Sequence, residues 1–228
     1  AKTLFPYTTL FRSGPALARL QIPTQEPLAP EILRGKQIFN DSADPRLSQD
    51  SYIACAHCHL EGESDLQVWD FTERGEGLRD THALNGHAGV GDGPIHWSGN
   101  FDEVQDFEND LRNAFGGAGL LTDADWNSGT HKDTLGDAKA GLSEDLDALA
   151  AYVNSLAGEA PSPFREPGGG LPPAAEAGRA LFESPALGCV ACHAGPRLTD
   201  SVFVDPGVPL LHDVGTLGPG SGKRLGQP

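Results

Sequence analysis

The sequence predicts a mainly α-helical protein, built as two related helical domains with long irregular loops, of which the second is truncated. Three observations support this prediction. Apolar residues recur every three or four positions in four segments, which is the period of an amphipathic helix. The 29 glycines and 18 prolines among 228 residues indicate long connections between the helices. A pattern of helix, loop and cysteine pair occurs twice, which indicates two related units.

The first 30 residues are expected to lie outside the folded domains. Residues 3–13 read like the translation of a common DNA-sequencing adapter, so residues 1–13 are set apart as a scar. Residues 14–30 are rich in proline and have no hydrophobic period, which predicts an extended lead-in. The chain contains no methionine, so we expect a fragment of a longer protein.

Residues 31–157 are predicted to form the first domain. A short helix is expected over 31–39, and the glycine-rich stretch 60–100 is expected to be a long irregular loop. A second helix follows, with apolar residues Phe101, Val104, Phe107, Leu111 and Phe115 at helical spacing. Thr122 is expected to cap one more turn, and Ser143 to cap the clearest helix, which ends near Gly158.

The rest of the chain is predicted to be a linker and a second, incomplete domain. Residues 158–173 are dominated by glycine and proline, which is typical of an interdomain linker. Residues 174–228 begin with a short helix over 174–182 that leads into the second cysteine pair. The five residues from Gly35 and the five from Gly178 are similar, and each group precedes a cysteine pair.

Two motifs of the form Cys-x-x-Cys-His contain every cysteine of the chain. They are Cys55, Cys58 and His59, then Cys189, Cys192 and His193. This spacing is typical of c-type haem attachment. Two thiols three residues apart reach the two vinyl groups on one edge of a porphyrin, and the adjacent imidazole reaches the iron. We therefore predict two covalently bound haem c groups, with His59 and His193 as proximal ligands.

Three other interpretations of the motifs stay open at this point. A structural disulfide needs no histidine after each cysteine pair, and a four-cysteine zinc site would join pairs far apart in the sequence. A thioredoxin-like redox pair needs a strand–helix setting that the pattern does not indicate. Because both motifs carry the histidine and together use every cysteine, haem attachment is favoured over a zinc-binding structural domain.

Charge and hydropathy exclude some partners. The net charge of −16 argues against nucleic acid and against an anionic membrane surface, whereas a basic partner protein is compatible with it. No apolar run is long enough to cross a bilayer, so no membrane span is expected in this fragment.

The residues around both motifs resemble the bacterial di-haem cytochrome c peroxidase family, which includes the MauG-like proteins. The resemblance covers residues 31–116, through the first motif, and residues 174–217, around the second. It implies a cytochrome c-like fold for each domain and a periplasmic location. It also implies that one haem accepts electrons from a small redox protein while the other reduces hydrogen peroxide.

The resemblance implies catalytic roles for residues between the motifs. Trp97 matches an electron-relay tryptophan, and Gln105 is the nearest match to a glutamine that lines the distal haem pocket. The family's distal glutamate has no counterpart in residues 113–117. Asp106 and Glu108 are therefore the candidate replacements for acid–base catalysis.

Further ligands follow from the resemblance and from the composition. A calcium ion between the domains is implied, although Asp80 stands where the family has an asparagine. The sixth iron ligands are not methionines, because the chain has none. His96 and His212 are the best histidine candidates, with an ordinary polar or surface histidine as the alternative for each. No histidine occupies the loop that caps the first haem in some relatives, so that haem is expected to be five-coordinate.

Together these inferences predict a di-haem c-type cytochrome that acts as a peroxidase-type oxidoreductase, with electrons passed between its haems. An electron-transfer module without catalytic activity of its own is the alternative. The missing distal glutamate favours the module, whereas the Trp97 segment favours the enzyme.

Overall fold

The structure is a computed structural model that describes residues 26–72, 77–158, 160–201 and 212. Its helices are α1 (Pro30–Asn40), α2 (Phe107–Asn109), α3 (Asp123–Trp126), α4 (Glu144–Ser155) and α5 (Pro173–Phe182). Strands β1 (Val68–Phe71) and β2 (Gly77–Asp80) pair antiparallel in one hairpin. Among the single 3₁₀ turns are Gln49–Ser51, Cys55–His57, Leu60–Gly62 and Cys189–Ala191.

The prediction of a mainly α-helical, cytochrome c-like fold is wrong. Only about 35% of the structure is helical, and the hairpin lies inside the stretch 60–100, for which the sequence predicts no regular structure. Glycine and proline interrupt the helices, and side-chain-capped turns take their place. Four aspartates accept a hydrogen bond from the amide two residues further on; they are Asp41, Asp44, Asp65 and Asp70.

The individual helices agree with the sequence pattern better than the fold class does. The helices expected over 31–39 and 174–182 are α1 and α5. Thr122 caps α3 by accepting a hydrogen bond from the Asp125 amide at 3.1 Å, and Ser143 caps α4 by accepting one from Leu146 at 3.3 Å. The segment 104–114 is helical but irregular, because a 3₁₀ turn precedes α2 and a π-helical turn follows it.

Helices α1 and α4 pack against each other at the centre of the hydrophobic core. Gly35 is buried where α1 crosses α4, and a Cβ atom there would lie 2.7 Å from the Cβ atom of Tyr152. The absence of a side chain at Gly35 therefore allows the two helices to approach closely. Phe39 and Tyr152 pack edge to face across the same interface, with ring centroids 5.1 Å apart.

An ion-pair network closes the solvent side of this helix pair. Arg34 holds Asp145 with two hydrogen bonds of 2.7 Å, and Arg46 contacts the same carboxylate at 2.7 Å. The hydrogen bond from Arg34, followed by that from Arg46, lowers the pKa of Asp145 to about 2. The network ties α1 and the following loop to the first turn of α4.

The part of the chain after α4 has a different character. Helix α5 contains no buried residue, whereas α4 buries six of its twelve residues. Leu181 and Leu187 are more than half exposed. Within the described residues, no helix combines the length and the apolar character needed to cross a membrane, as the sequence predicts.

Candidate functional site

The first Cys-x-x-Cys-His motif is wound into a single tight turn. The amides of Cys58 and His59 both donate to the Cys55 carbonyl, at 3.2 Å and 3.0 Å. Ala54 donates its amide to His57 Nδ1 at 3.1 Å, which holds the His57 side chain at the exposed side of the turn. As a result Cys55, Cys58 and His59 line the same cleft, and His57 does not.

Burial controls the protonation of these three groups. It raises the pKa of the Cys55 thiol to about 12, and it raises the pKa of Cys58, with a further contribution from Asp65. Burial lowers the pKa of His59, against a smaller opposing effect of the His82 backbone. At neutral pH the motif therefore presents two protonated thiols and a neutral imidazole, which is the form of histidine that binds a metal.

The cleft is large and mostly apolar. Its empty space, including the open mouth, is about 1270 Å³. Helices α1 and α4 and the first motif contribute part of its lining, and the hairpin and residues 81–97 contribute another part. The 104–114 segment adds Phe107 and Leu111. This apolar lining suits a flat hydrophobic group attached at one edge.

His96 and Trp97, the candidate iron ligand and the candidate electron relay, both line the cleft. His96 Nδ1 is 2.8 Å from Asn100 Oδ1, and its ring packs on Phe101 with centroids 4.2 Å apart. The backbone of His96 has a φ of 66°, which is uncommon for a residue with a side chain. Trp97 is 51% exposed and donates its ring N–H to the Asp80 carbonyl at 3.1 Å.

The three polar candidates on the 104–114 segment lie away from the cleft. Gln105 donates to Asp147 on α4 at 2.9 Å, and Asp106 is buried against Lys139 Nζ at 2.5 Å. Glu108 accepts hydrogen bonds from the amides of Leu120 and Leu121 and from Arg112; the three distances are 2.7, 3.1 and 2.6 Å. Each of the three side chains is engaged in a contact that holds neighbouring segments together.

Burial also shifts the titration of Asp106. It raises the pKa of the Asp106 carboxyl, although the hydrogen bond and the charge of Lys139 act in the opposite direction. Both side chains are almost completely buried, with 0% exposure for Lys139 and 2% for Asp106. A buried ion pair of this kind joins the two segments that carry it, and removing one partner strongly lowers the unfolding free energy.

Sequence reasoning missed Asp110, a carboxylate that does line the cleft. Asp110 is buried and lies beside Cys55, since its charge contributes to the raised pKa of that thiol. The signal was present in the sequence, because Phe107, Asp110 and Leu111 are separated by three and four residues and share one helix face. Asp106 and Glu108 are off that face.

His82, Trp69 and Arg79 are further cleft residues that the pattern did not indicate. The His82 ring packs edge to face on Trp97 with centroids 4.4 Å apart, and its Nε2 is buried without a hydrogen bond. Burial, followed by the charges of His96, His87 and His59, lowers the pKa of His82 to about 4. Trp69 and Arg79 enter from the hairpin, which the sequence pattern did not predict.

The second motif repeats the same turn at the surface. The amides of Cys192 and His193 both donate to the Cys189 carbonyl, at 3.4 Å and 2.9 Å. His193 Nδ1 lies 2.8 Å from the Leu198 carbonyl, which fixes the ring with its other nitrogen directed away from that bond. Metal-binding histidines are commonly held in this way.

His212 lies beside the second motif. Its Nε2 is 2.9 Å from Asp200 Oδ2, and these two side chains form a group with Cys192 in which the potential ligand atoms lie within 4.8 Å of one another. Within the described ranges this is the one such group of three, so the four cysteines do not gather into one zinc site there. Asp80, the residue considered for calcium, is outside the group.

The residues of the first motif fit the haem that the spacing implies. The His59 imidazole lies in the apolar cleft, and burial favours its neutral form, which is the form that binds a metal. Cys55 and Cys58 are free thiols in the same cleft, so no disulfide competes for them. The cleft walls supply aromatic and aliphatic side chains for the faces of a porphyrin. The donor set and its surroundings therefore suit attachment at one edge and ligation by His59.

Comparison with known proteins points to one complex. No protein-family model matches the chain. The chain is 30% identical, over 202 residues, to hydrazine synthase subunit gamma of Kuenenia stuttgartiensis, a match that covers 83% of this chain and 50% of that protein. It also superposes on a chain of Kuenenia stuttgartiensis hydrazine synthase pressurised with 20 bar xenon. That match has a TM-score of 0.53 and 25% identity, and it covers 78% of this chain and 55% of the other.

These similarities correct the relationship inferred from the motifs. The resemblance to di-haem cytochrome c peroxidases and MauG-like proteins is wrong as a statement of kinship, because both matches are to hydrazine synthase. Peroxidase activity and hydrogen peroxide as the substrate rested on that resemblance and lose their support with it. This chain spans about half the length of the proteins it matches and is similar to the gamma subunit of hydrazine synthase.

Proposed function

We propose that this chain is part of a redox subunit that carries haem c at both Cys-x-x-Cys-His motifs and works in a complex of the hydrazine synthase type. The observation that carries the proposal is the cleft into which Cys55, Cys58 and His59 all face. The similarity to hydrazine synthase subunit gamma supports the chemistry and the complex. Haem c is attached on the outer side of the cytoplasmic membrane in bacteria that make it, so a periplasmic location belongs to the proposal.

The haem, when bound, supplies an iron that changes between two oxidation states. The residues of this chain do the rest. Cys55 and Cys58 fix one edge of the group, and His59 supplies the nitrogen ligand from a turn held by three hydrogen bonds. The apolar walls exclude water, which strengthens electrostatic interactions inside the cleft. Asp110, buried beside Cys55, places a carboxylate at the cleft wall.

Attachment is tested by expression in a host that matures c-type cytochromes. The wild-type chain is expected to show a Soret band, a c-type pyridine haemochrome spectrum and a mass increased by two haems. The double variant Cys55→Ala, Cys58→Ala and the matched double variant Cys189→Ala, Cys192→Ala should each lose one haem. A protein without a Soret band, or with zinc in place of iron, would overturn the proposal.

A second candidate function is electron transfer without catalysis, in which the chain receives electrons from a small redox protein. The positions of Gln105, Asp106 and Glu108 favour it, since all three are engaged in contacts outside the cleft. Asp110 and His96 in the cleft favour a reactive first site. Adding hydrazine to the ferric protein separates the two. A change in the coordination spectrum of the first haem supports a reactive site, and an unchanged six-coordinate spectrum supports the module.

A further inference from the structure

The hairpin presents one of its faces to the cleft. Trp69 and Arg79 are paired across the two strands, and cross-strand partners project from the same face of a sheet. Both side chains line the cleft, as does Phe71, two residues along β1. Val68 and Leu78 project from the other face and are 62% and 64% exposed. The hairpin therefore forms part of the cleft lining, with one cationic side chain on the face that lines the cleft.

That cation is distinctive among the residues that line the cleft. Arg79 is the single Arg or Lys among the described lining residues, in a chain with 32 acidic and 16 basic residues. No carboxylate of residues 26–72, 77–158 or 160–201 forms an ion pair with it. A guanidinium on a cleft wall without such a partner suits an anionic group of the ligand.

The hydrogen bonds of Arg79 point the same way. Its Nη1 donates to the Leu78 carbonyl at 2.8 Å, which holds the side chain against its own strand. Its Nε is buried and has no hydrogen-bond partner in the described chain. Leaving a buried donor unpaired is energetically unfavourable. An acceptor that enters the cleft with the ligand would recover this free energy.

We propose that Arg79 binds a propionate carboxylate of the haem attached at Cys55 and Cys58. This inference rests on the proposed haem attachment at the first motif. The thioether bonds hold the vinyl edge of the porphyrin, and the propionates extend from the other end of the same ring. A propionate supplies both the negative charge and the acceptor oxygens that Arg79 lacks.

The pairing has a measurable consequence for the iron. A carboxylate neutralised by Arg79 disfavours reduction less than an exposed negative charge does. Replacing Arg79 with glutamine should therefore lower the reduction potential of the first haem. A shift of about 59 mV corresponds to a tenfold change in the equilibrium constant for one electron. Lysine keeps the charge but not the forked geometry of the guanidinium, so Arg79→Lys should recover most of the potential.

The experiment compares Arg79→Gln, Arg79→Lys and Arg165→Gln in the full chain with both haems. Arg165 is a matched control, because it is exposed, donates to the Gly169 carbonyl and does not line the cleft. Potentials are measured by redox titration, and the first haem is identified by its loss in Cys55→Ala, Cys58→Ala. Resonance Raman spectra report the propionate bending band, which moves to lower frequency when a hydrogen bond to the propionate is lost.

The expected result is a lowered potential and a shifted propionate band in Arg79→Gln, with Arg165→Gln unchanged. If Arg79→Gln is recovered without its first haem, the Arg79→Lys variant tests the inference instead. Its propionate band is then expected to differ from that of the wild type. An unshifted band and potential in the Arg79 variants, with haem attached, overturn the inference alone. A wild-type protein without haem at the first motif overturns the proposed function as well.

Discussion

Arg197 Nη1 lies 3.1 Å from Asp92 Oδ1 and also donates to the Gly86 carbonyl at 3.2 Å. Asp92 in turn lies 2.5 Å from His87 Nδ1. Arg197 follows the second motif by four residues, and Gly86 follows the cleft residue His82 by four. The contact therefore joins the segment after the second motif to the loop that continues into the lining of the cleft at the first motif.

The first prediction concerns this junction. Arg197→Gln removes the ion pair and the hydrogen bond to Gly86, so the amides of residues 86–93 should exchange with solvent faster. The change in unfolding free energy should stay below about 1 kcal/mol, because the side chains are partly exposed. Hydrogen–deuterium exchange measures the rates at these amides. Arg179→Gln, which breaks a surface ion pair within α5, is the control. Equal exchange in both variants would show that Arg197 does not hold the loop.

The second prediction uses the two equivalent glycines of the repeat. Gly35→Ala should destabilise the protein by about 2–3 kcal/mol, because the new Cβ atom would overlap the backbone of Ala148. Gly178→Ala meets nothing within 4 Å and should be neutral or stabilising by about 0.5–1 kcal/mol, since alanine favours helix. Urea denaturation checks both. The same loss at both positions would mean that Gly35 is not a helix-crossing site.

The third prediction concerns stability against acid. The pKa of Asp145 is about 2 in the fold, below its ordinary value of 3.8, because of its bonds to Arg34 and Arg46. A carboxyl with a lowered pKa stabilises the fold fully above the unfolded value, and this contribution is lost as pH falls from about 4 to about 2. Asp145→Asn should cost about 1 kcal/mol at pH 7, a figure reduced for solvent screening.

Unfolding by urea at pH 7, 4 and 2.5 measures this contribution. The difference between wild type and Asp145→Asn should shrink toward zero at the lowest pH. Glu144→Gln, which changes the exposed neighbour of Asp145, serves as the control. A difference that does not depend on pH would exclude the ion pair as its cause.

The fourth prediction separates structure from catalysis at Asp106. Lys139→Met leaves the Asp106 carboxylate buried with backbone amides alone and should cost about 3–5 kcal/mol. Adding Asp106→Leu should restore a large part of that loss. Thermal unfolding gives the free energies, and the haem spectrum of the folded fraction should be the same in both variants. A spectral change with full stability would instead indicate that Asp106 acts on the haem site.

The helices could be predicted from the sequence because their signals are local. Ser143 and Thr122 are good N-caps, and the apolar stripe of α4 has a clear period of 3.6 residues. The hairpin could not be predicted in the same way. Its exposed Val68 and Leu78 hide the alternation that would mark a half-buried strand, and the face bearing Trp69 and Arg79 is defined by a cleft formed from distant segments.

The site was predictable in part for the same reason. Their spacing within five residues of sequence made Cys55, Cys58 and His59 candidates for haem attachment, and the local turn brings all three to one cleft. The carboxylate that the 104–114 segment brings to the cleft is Asp110 rather than Asp106 or Glu108, because the rotation of this segment decides which side chain faces inward. The relationship to other proteins became apparent from a match over 202 residues, whereas the short segments around the motifs indicated a different family.

Local sequence specifies the two cysteine motifs, the helix caps and the glycines that the helices require, since each depends on residues close together in the chain. Long-range packing sets which residues share the cleft, because Arg79, His82 and Asp110 come from separate segments. Their meeting depends on the packing of α1 against α4 and on the register of the hairpin. Side-chain packing over long sequence distances leaves no short pattern from which these contacts could be predicted.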